Sequence, residues 1–290
     1  MMTSNKTKMP DLSKATRPSM KNIKVIDEYD SEREFPITGE LPLTIYVNKQ
    51  EVVTLMTLGH YPEALVIGYL RNQGFVSKLS DLKSVQVDWE TNSAAVVTQN
   101  DIKNFDNKLT HKVVTSGCGQ GTTFGGIWDD LKEKNIQSGK LKQSTIYKIL
   151  KLLHEKNEIY RLSGAVHGCA LCSSSKIIDF IEDVGRHNAV DAIAGNMWIN
   201  EINSDNKIFY TTGRLTSEMV IKIAQMNIPY LLSRSGITEM GYSVAKETGV
   251  TLLGRAKGRH FLIYNGSENI IFDEKPKQRP DNSSDIWKRR

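Results

Sequence analysis

The stretch Lys176-Ile-Ile-Asp-Phe-Ile-Glu-Asp-Val-Gly-Arg-His-Asn-Ala-Val-Asp191 decides the fold. Its first half, Ile177 to Val184, is a short apolar run of strand length, and its second half opens a helix. Outward from it, Ile208 to Thr212, Pro229 to Ser233 and Thr251 to Gly254 repeat the short apolar run, with helical segments between successive runs. That alternation predicts an α/β core on a parallel or mixed sheet with flanking helices. Phe261 to Tyr264 adds a final strand, and the residues after it, with Pro276, Pro280 and several charges, read as a frayed tail.

Upstream, the chain reads as a smaller strand-rich region. Leu41 to Val47 and Val52 to Met56 form a hairpin about Asn48-Lys49-Gln50, and Val85 to Val97 alternates weakly as further strand. Tyr61 to Asn72 is a helix with Pro62 in its first turn and Gly74 just past its end. A second helix is expected to be capped by Ser144, with Ile149, Leu150, Leu152 and Leu153 on its apolar face. The expected organisation is a flexible basic leader (1–23), a strand-rich region with one helix (24–110), a Gly-rich reactive loop region (111–143), the α/β core (144–266) and a polar tail (267–290).

Composition narrows the function. The chain has 290 residues, 39% of them hydrophobic, which is ample for a packed core without staples. Only three cysteines occur, Cys118, Cys169 and Cys172, too few for a disulfide framework or a four-cysteine zinc site, so a reducing compartment is implied. With no apolar leader segment and no bilayer-length apolar run, the expectation is a cytoplasmic protein that is not inserted in a membrane. The formal charge is +5, and Lys6, Lys8, Lys14, Arg17, Lys21 and Lys24 against Asp11 account for that much. This leader lacks aromatics to stack on bases, so no nucleic-acid binding is inferred.

Three segments carry candidate chemistry. Thr115-Ser-Gly-Cys118-Gly-Gln-Gly121 sets a thiol in an open, Gly-rich loop whose successive N–H groups can stabilise a thiolate. Taken locally, a reactive and an incidental cysteine both fit it. Asp183, Arg186, His187 and Asn188 cluster where strand meets helix, the edge at which α/β sheets hold ligands, with Arg186 suited to an anion and His187 to proton transfer. The bland reading is a helix cap with a local ion pair. His167-Gly-Cys169-Ala-Leu-Cys172 offers three zinc ligands at close spacing, yet Cys169 stands where a nucleobase deaminase would have its proton-shuttling Glu, and no later Pro-Cys-x-x-Cys pair exists. No zinc is expected there; a redox dithiol and small buried residues on a helix are the other readings.

Together these segments resemble the formate dehydrogenase accessory sulfurtransferase family, the FdhD-like sulfur carriers, from Glu40 to Tyr264. The residues that carry the resemblance are Glu182 to Asp191, Thr212-Gly-Arg-Leu-Thr-Ser-Glu-Met219, Ile228-Pro-Tyr-Leu-Leu-Ser-Arg234 and Thr251-Leu-Leu-Gly254, with Glu40 to Asn48 and Ile67 to Gly74 upstream. The resemblance implies a cytidine-deaminase-like core without zinc chemistry, commonly assembled as a homodimer. It also implies a sulfurtransferase that accepts persulfide sulfur from a cysteine desulfurase and passes it to the bis-molybdopterin guanine dinucleotide molybdenum cofactor, for formate dehydrogenase. By position Cys118 matches the persulfide cysteine, and Arg255, Ala256, Lys257, Gly258, Arg259 and His260 match the cofactor-binding stretch, whose positive groups suit a pyrophosphate.

Two departures qualify the match. Gly121 stands where many members have a second loop cysteine, so transfer from Cys118 must be direct, and Arg255 stands where an aromatic is usual. Two rival readings stand beside it: a diverged guanine-nucleotide or cofactor-binding module without sulfur transfer, and a zinc hydrolase built on His167, Cys169 and Cys172.

Overall fold

The structure, a computed structural model, describes residues 9–102, 105 and 136–275. Cys118, with most of its Gly-rich loop region, and the tail beyond residue 275 lie outside the described residues.

The N-terminal part begins with β1 (Asp11–Leu12) and a hairpin of β2 (Met20–Ile26) and β3 (Glu32–Thr38). Next come β4 (Leu41–Val47), β5 (Gln50–Thr57), α1 (Pro62–Asn72), β6 (Leu82–Asp88) and β7 (Ser93–Thr98). The β4–β5 turn is tight because Asn48 and Lys49 both take positive φ, 46° and 74°, the geometry that matches strand twist in two-residue hairpins. The weakly alternating stretch from Val85 to Val97 is not one strand but the ends of two, β6 and β7, which pair antiparallel about a turn where Asn92 has φ 51°. These strands form a five-stranded sheet in the order β1-β6-β7-β4-β5.

Residues 9 to 23 are not a free tail. β1 pairs parallel with β6, Leu12 and Ala15 pack on the core, and the Glu63 carboxylate accepts from Ser13 Oγ at 2.6 Å and Ala15 N at 2.8 Å. The Trp89 indole N–H donates to the Ala15 carbonyl. Charge dominates this segment's composition, but two small apolar side chains and backbone pairing anchor it.

The second part runs β8 (Leu141–Lys142), α2 (Gln143–Lys156), α3 (Glu158–Ser163), β9 (His167–Cys172), β10 (Ile177–Asp183) and α4 (Arg186–Ile199). It continues with β11 (Ile208–Thr211), α5 (Ser217–Gln225), β12 (Tyr230–Ser233), α6 (Glu239–Thr248), β13 (Thr251–Lys257), β14 (His260–Asn265) and β15 (Ile270–Ile271). Six strands form a mixed sheet in the order β10-β9-β11-β12-β13-β14, parallel between β11, β12 and β13 and antiparallel elsewhere.

Pleating sends alternate side chains of that sheet into two cores. Cys169, Leu171, Phe209, Leu231 and Leu252 join one shared with α1, α4, α5, α6 and the five-stranded sheet; Ala170, Cys172, Tyr210, Leu232 and Leu253 face Ile146, Ile149, Leu150 and Leu153 of α2. Ser144 does not cap α2. Lys142 is the N-cap, and Ser144 N and Oγ donate to the Asp273 carboxylate at 2.9 and 2.6 Å, so a distant acid satisfies the first turn.

Candidate functional site

β10, β11, β12 and β13 all end at one edge of the six-stranded sheet, and two clefts open there. The larger, about 880 Å³, lies between α2 and the β13–β14 hairpin. From α2 come Ser144, Tyr147, Lys148, Lys151 and His154, a stripe at helical spacing, with Glu155 beside it; Tyr210, Arg234, Ala256, Lys257, Gly258, Arg259 and Glu274 also line it. The smaller, about 450 Å³, is lined by Tyr160, Gly164, Ala165, Val166, His167, Thr212 and Arg234. Arg234 belongs to both.

The segment Arg255 to His260 is divided by its backbone. A register shift between Gly254 and Lys257 makes a bulge in which Arg255 takes φ 54°, and its side chain turns to lie beside Gly236. Ala256, Lys257, Gly258 and Arg259 line the larger cleft, whereas Arg255 and the partly buried His260 do not. The Arg259 guanidinium lies 4.9 Å above the Tyr147 ring and pairs with the Glu274 carboxylate. Cation, aromatic ring and acid thus meet at the cleft mouth.

Asp183, Arg186, His187 and Asn188 are all buried, and neither cleft is lined by them. The Asp183 carboxylate accepts from Thr57 Oγ1 (2.6 Å), Leu58 N (3.0 Å), Gly185 N (2.9 Å) and Asn188 Nδ2 (2.9 Å). Burial, the largest influence, raises its pKa, and these four donors work against that rise. His187 Nε2 lies 3.3 Å from Glu218, beside Lys222, which bonds Asp191 at 2.7 Å; Asn72 donates to the same Asp191 at 2.7 Å. Burial first, then the Lys222 charge, hold the His187 pKa below its ordinary value, so the ring is neutral. The cluster therefore stands behind the strand-end edge: the Arg186 side chain packs against Gly213, and its charge also lowers the pKa of His167.

His167, Cys169 and Cys172 lie on strand β9, not on a helix. Alternation places Cys169 in the α4-side core and Cys172 in the α2-side core, so the two thiols face opposite ways and the three residues cannot converge on one ion. Cys169 Sγ donates to Thr211 Oγ1 at 3.3 Å. Burial pushes both thiols up to about 12, away from thiolate chemistry. No group of three or more metal-ligating side chains occurs among the described residues.

Sequence reasoning missed Arg234, Thr212 and the α2 stripe as cleft residues. On a helix, Lys148, Lys151 and His154 look like an ordinary solvated face, and only the β13–β14 hairpin opposite turns that face into a wall. The signal for Arg234 was its place just after an apolar run in a resembling segment.

Fold and site define a mixed α/β protein with a strand-end cleft lined by several cationic side chains. The chain belongs to the FdhD/NarQ family, whose pattern matches residues 38–271. It is 35% identical over 243 residues to the sulfur carrier protein FdhD of Listeria monocytogenes, covering 82% of this chain and 93% of that one. It is 30% identical over 259 residues to the protein of that name from Bacillus pumilus, covering 87% and 98%. A crystal structure described as a formate dehydrogenase accessory protein, from Desulfotalea psychrophila, matches with a TM-score of 0.69 at 26% identity, over 88% of this chain and all of that one.

Proposed function

We propose that this chain is a sulfur carrier for formate dehydrogenase, with Cys118 as its persulfide site and the larger cleft as the seat of the cofactor that receives the sulfur. The observation that carries the reading is the inertness of the alternatives. Of three thiols, Cys169 and Cys172 are fully enclosed and held as thiols, which leaves Cys118 for nucleophilic work. In the step itself, the Cys118 thiolate attacks the terminal sulfur of a cysteine desulfurase's persulfide. The donor S–S bond breaks, the donor keeps its thiolate, and Cys118 holds the sulfane sulfur.

The acceptor in this reading is the bis-molybdopterin guanine dinucleotide molybdenum cofactor, bound as substrate. Lys257, Arg259, Lys148, Lys151 and Arg234 offer charge for its pyrophosphate, and Tyr147 and Tyr210 offer flat apolar surface for a guanine. Arg255 and His260 flank this stretch, while Asp183, Arg186, His187 and Asn188 support the edge from behind. Three inner parallel strands with helices on both faces support a cytidine-deaminase-like core; a homodimer working in the cytoplasm completes the proposal.

Intact mass after incubation with a cysteine desulfurase and free cysteine tests the reading. Wild type, Cys169→Ala and Cys172→Ala should each gain one sulfur, and Cys118→Ala none. Loading of Cys118→Ala protein would move the site elsewhere. Guanine-nucleotide binding without any loading of wild type would favour the binding module that Gly121, in place of a second loop cysteine, permits.

A further inference from the structure

The smaller cleft is built for an anion, and its arrangement starts from sheet register. Thr211 pairs with Ser233 in the parallel ladder, so the next residues, Thr212 and Arg234, stand side by side where both strands leave the sheet. Arg234 N donates to the Thr211 carbonyl at 3.1 Å, fixing its backbone. Thr212 Oγ1 accepts from Gly168 N at 3.1 Å and lies 3.5 Å from His167 Nδ1, which sets hydroxyl and imidazole side by side on the cleft wall.

The electrostatics agree with this geometry. No carboxylate lines the smaller cleft, and Arg234 forms no ion pair among the described residues. His167 is half-buried; burial, then Arg186 and Arg214, hold its pKa below the ordinary value, so positive potential converges there while the ring stays neutral. A guanidinium on a fixed backbone, a hydroxyl and an imidazole around one small space suit the tetrahedral oxygens of a phosphate.

We infer that the two clefts are one site, crossed at Arg234, and that the smaller takes the distal phosphate of a diphosphate whose nucleoside end lies in the larger. The inference rests on the nucleotide reading of the larger cleft and adds the direction in which the ligand lies.

Calorimetry at fixed salt with GDP, GMP and inorganic pyrophosphate tests it, each variant first shown to melt like wild type. Arg234→Gln, His167→Gln and Thr212→Val should weaken GDP about tenfold, the size of one lost charged or buried hydrogen bond. GMP should lose under about twofold with His167→Gln and Thr212→Val, because it lacks the distal phosphate. Thr212→Ser, which keeps the hydroxyl, should bind GDP like wild type. Unchanged GDP affinity in His167→Gln and Thr212→Val, or equal loss for GMP, would overturn the subsite. If wild type binds no GDP the nucleotide reading fails; pyrophosphate binding that Arg234→Gln and Thr212→Val abolish would then still support the anion site, and its absence would end it.

Discussion

His187 shows how one enclosed side chain couples the fold to pH. Its ring lies among Lys222, Glu218, Arg186 and His167 with almost no exposure, and burial holds its pKa low. In the unfolded chain the same ring titrates near its usual value, about 6.5. Below that pH the unfolded state binds a proton that the folded state refuses, so this group's contribution to stability falls as pH falls. Burial raises Asp183 and Asp191, which gives them the opposite sign, so a difference measurement is needed. His187→Gln removes the histidine contribution alone. Its stability deficit at pH 7.5 should shrink at pH 5, read as the gap between wild-type and variant urea midpoints; a gap that is constant with pH would mean His187 titrates normally. At this scale the sequence was partly legible. Lys257 and Arg259 were found from basic density after a strand, whereas the bulge that turns Arg255 away depends on a register shift that no residue type announces.

Among the elements, α1 and α4 make the closest contact, and two glycines permit it. A Cβ on Gly68 would lie 1.6 Å from the Asp191 carbonyl oxygen, and one on Gly195 would lie 1.9 Å from that of Ala64. Both obstacles are backbone, so the helices would have to separate. Gly195→Ala should therefore destabilise by about 3 kcal/mol or more despite the better helix propensity of Ala, at the upper end of overpacking costs. Gly39→Ala, where the nearest atom is 3.8 Å away, is the control and should cost far less in the same urea titration. Equal midpoints for the two variants would show that the helices yield cheaply. Strands and helices of the second half were readable because short apolar runs alternate with helical segments. α4 carries no polar stripe, being buried from Arg186 to Gly195, so its neighbours could not be read from periodicity. Strand β9 was misread because Gly168 to Cys172 is buried on both faces and lacks the alternation that marks a half-exposed strand.

Across the whole molecule, the two large sheets are joined through one enclosed carboxylate. Asp183 ends β10 of the six-stranded sheet, and two of its donors, Thr57 Oγ1 and Leu58 N, come from the end of β5 and the residue after it in the five-stranded sheet. Its other two donors, Gly185 N and Asn188 Nδ2, start α4, and Asn188 Nδ2 also donates to the Met56 carbonyl at 2.7 Å. Sequence alone placed Asp183 at a strand end but gave no reason to pair it with residues more than a hundred positions away. One hydrophobic core holds residues of both sheets, so they should unfold in a single transition. Asp183→Asn keeps the shape but replaces one acceptor oxygen with an NH2 group, which meets donors where an acceptor was needed. Leaving such buried donors unpaired should cost roughly 2 to 4 kcal/mol. For a chain this size that is a fall in Tm of about 5 to 15 °C, with the transition still single. Thr57→Val should weaken the same junction less, since three donors remain. The double variant should lose less than the sum of the two, because the residues share one contact. Calorimetric melting of the four proteins decides it: strict additivity would show that Thr57 and Asp183 act independently, and two separate transitions in Asp183→Asn would show that this carboxylate alone makes the sheets unfold as one.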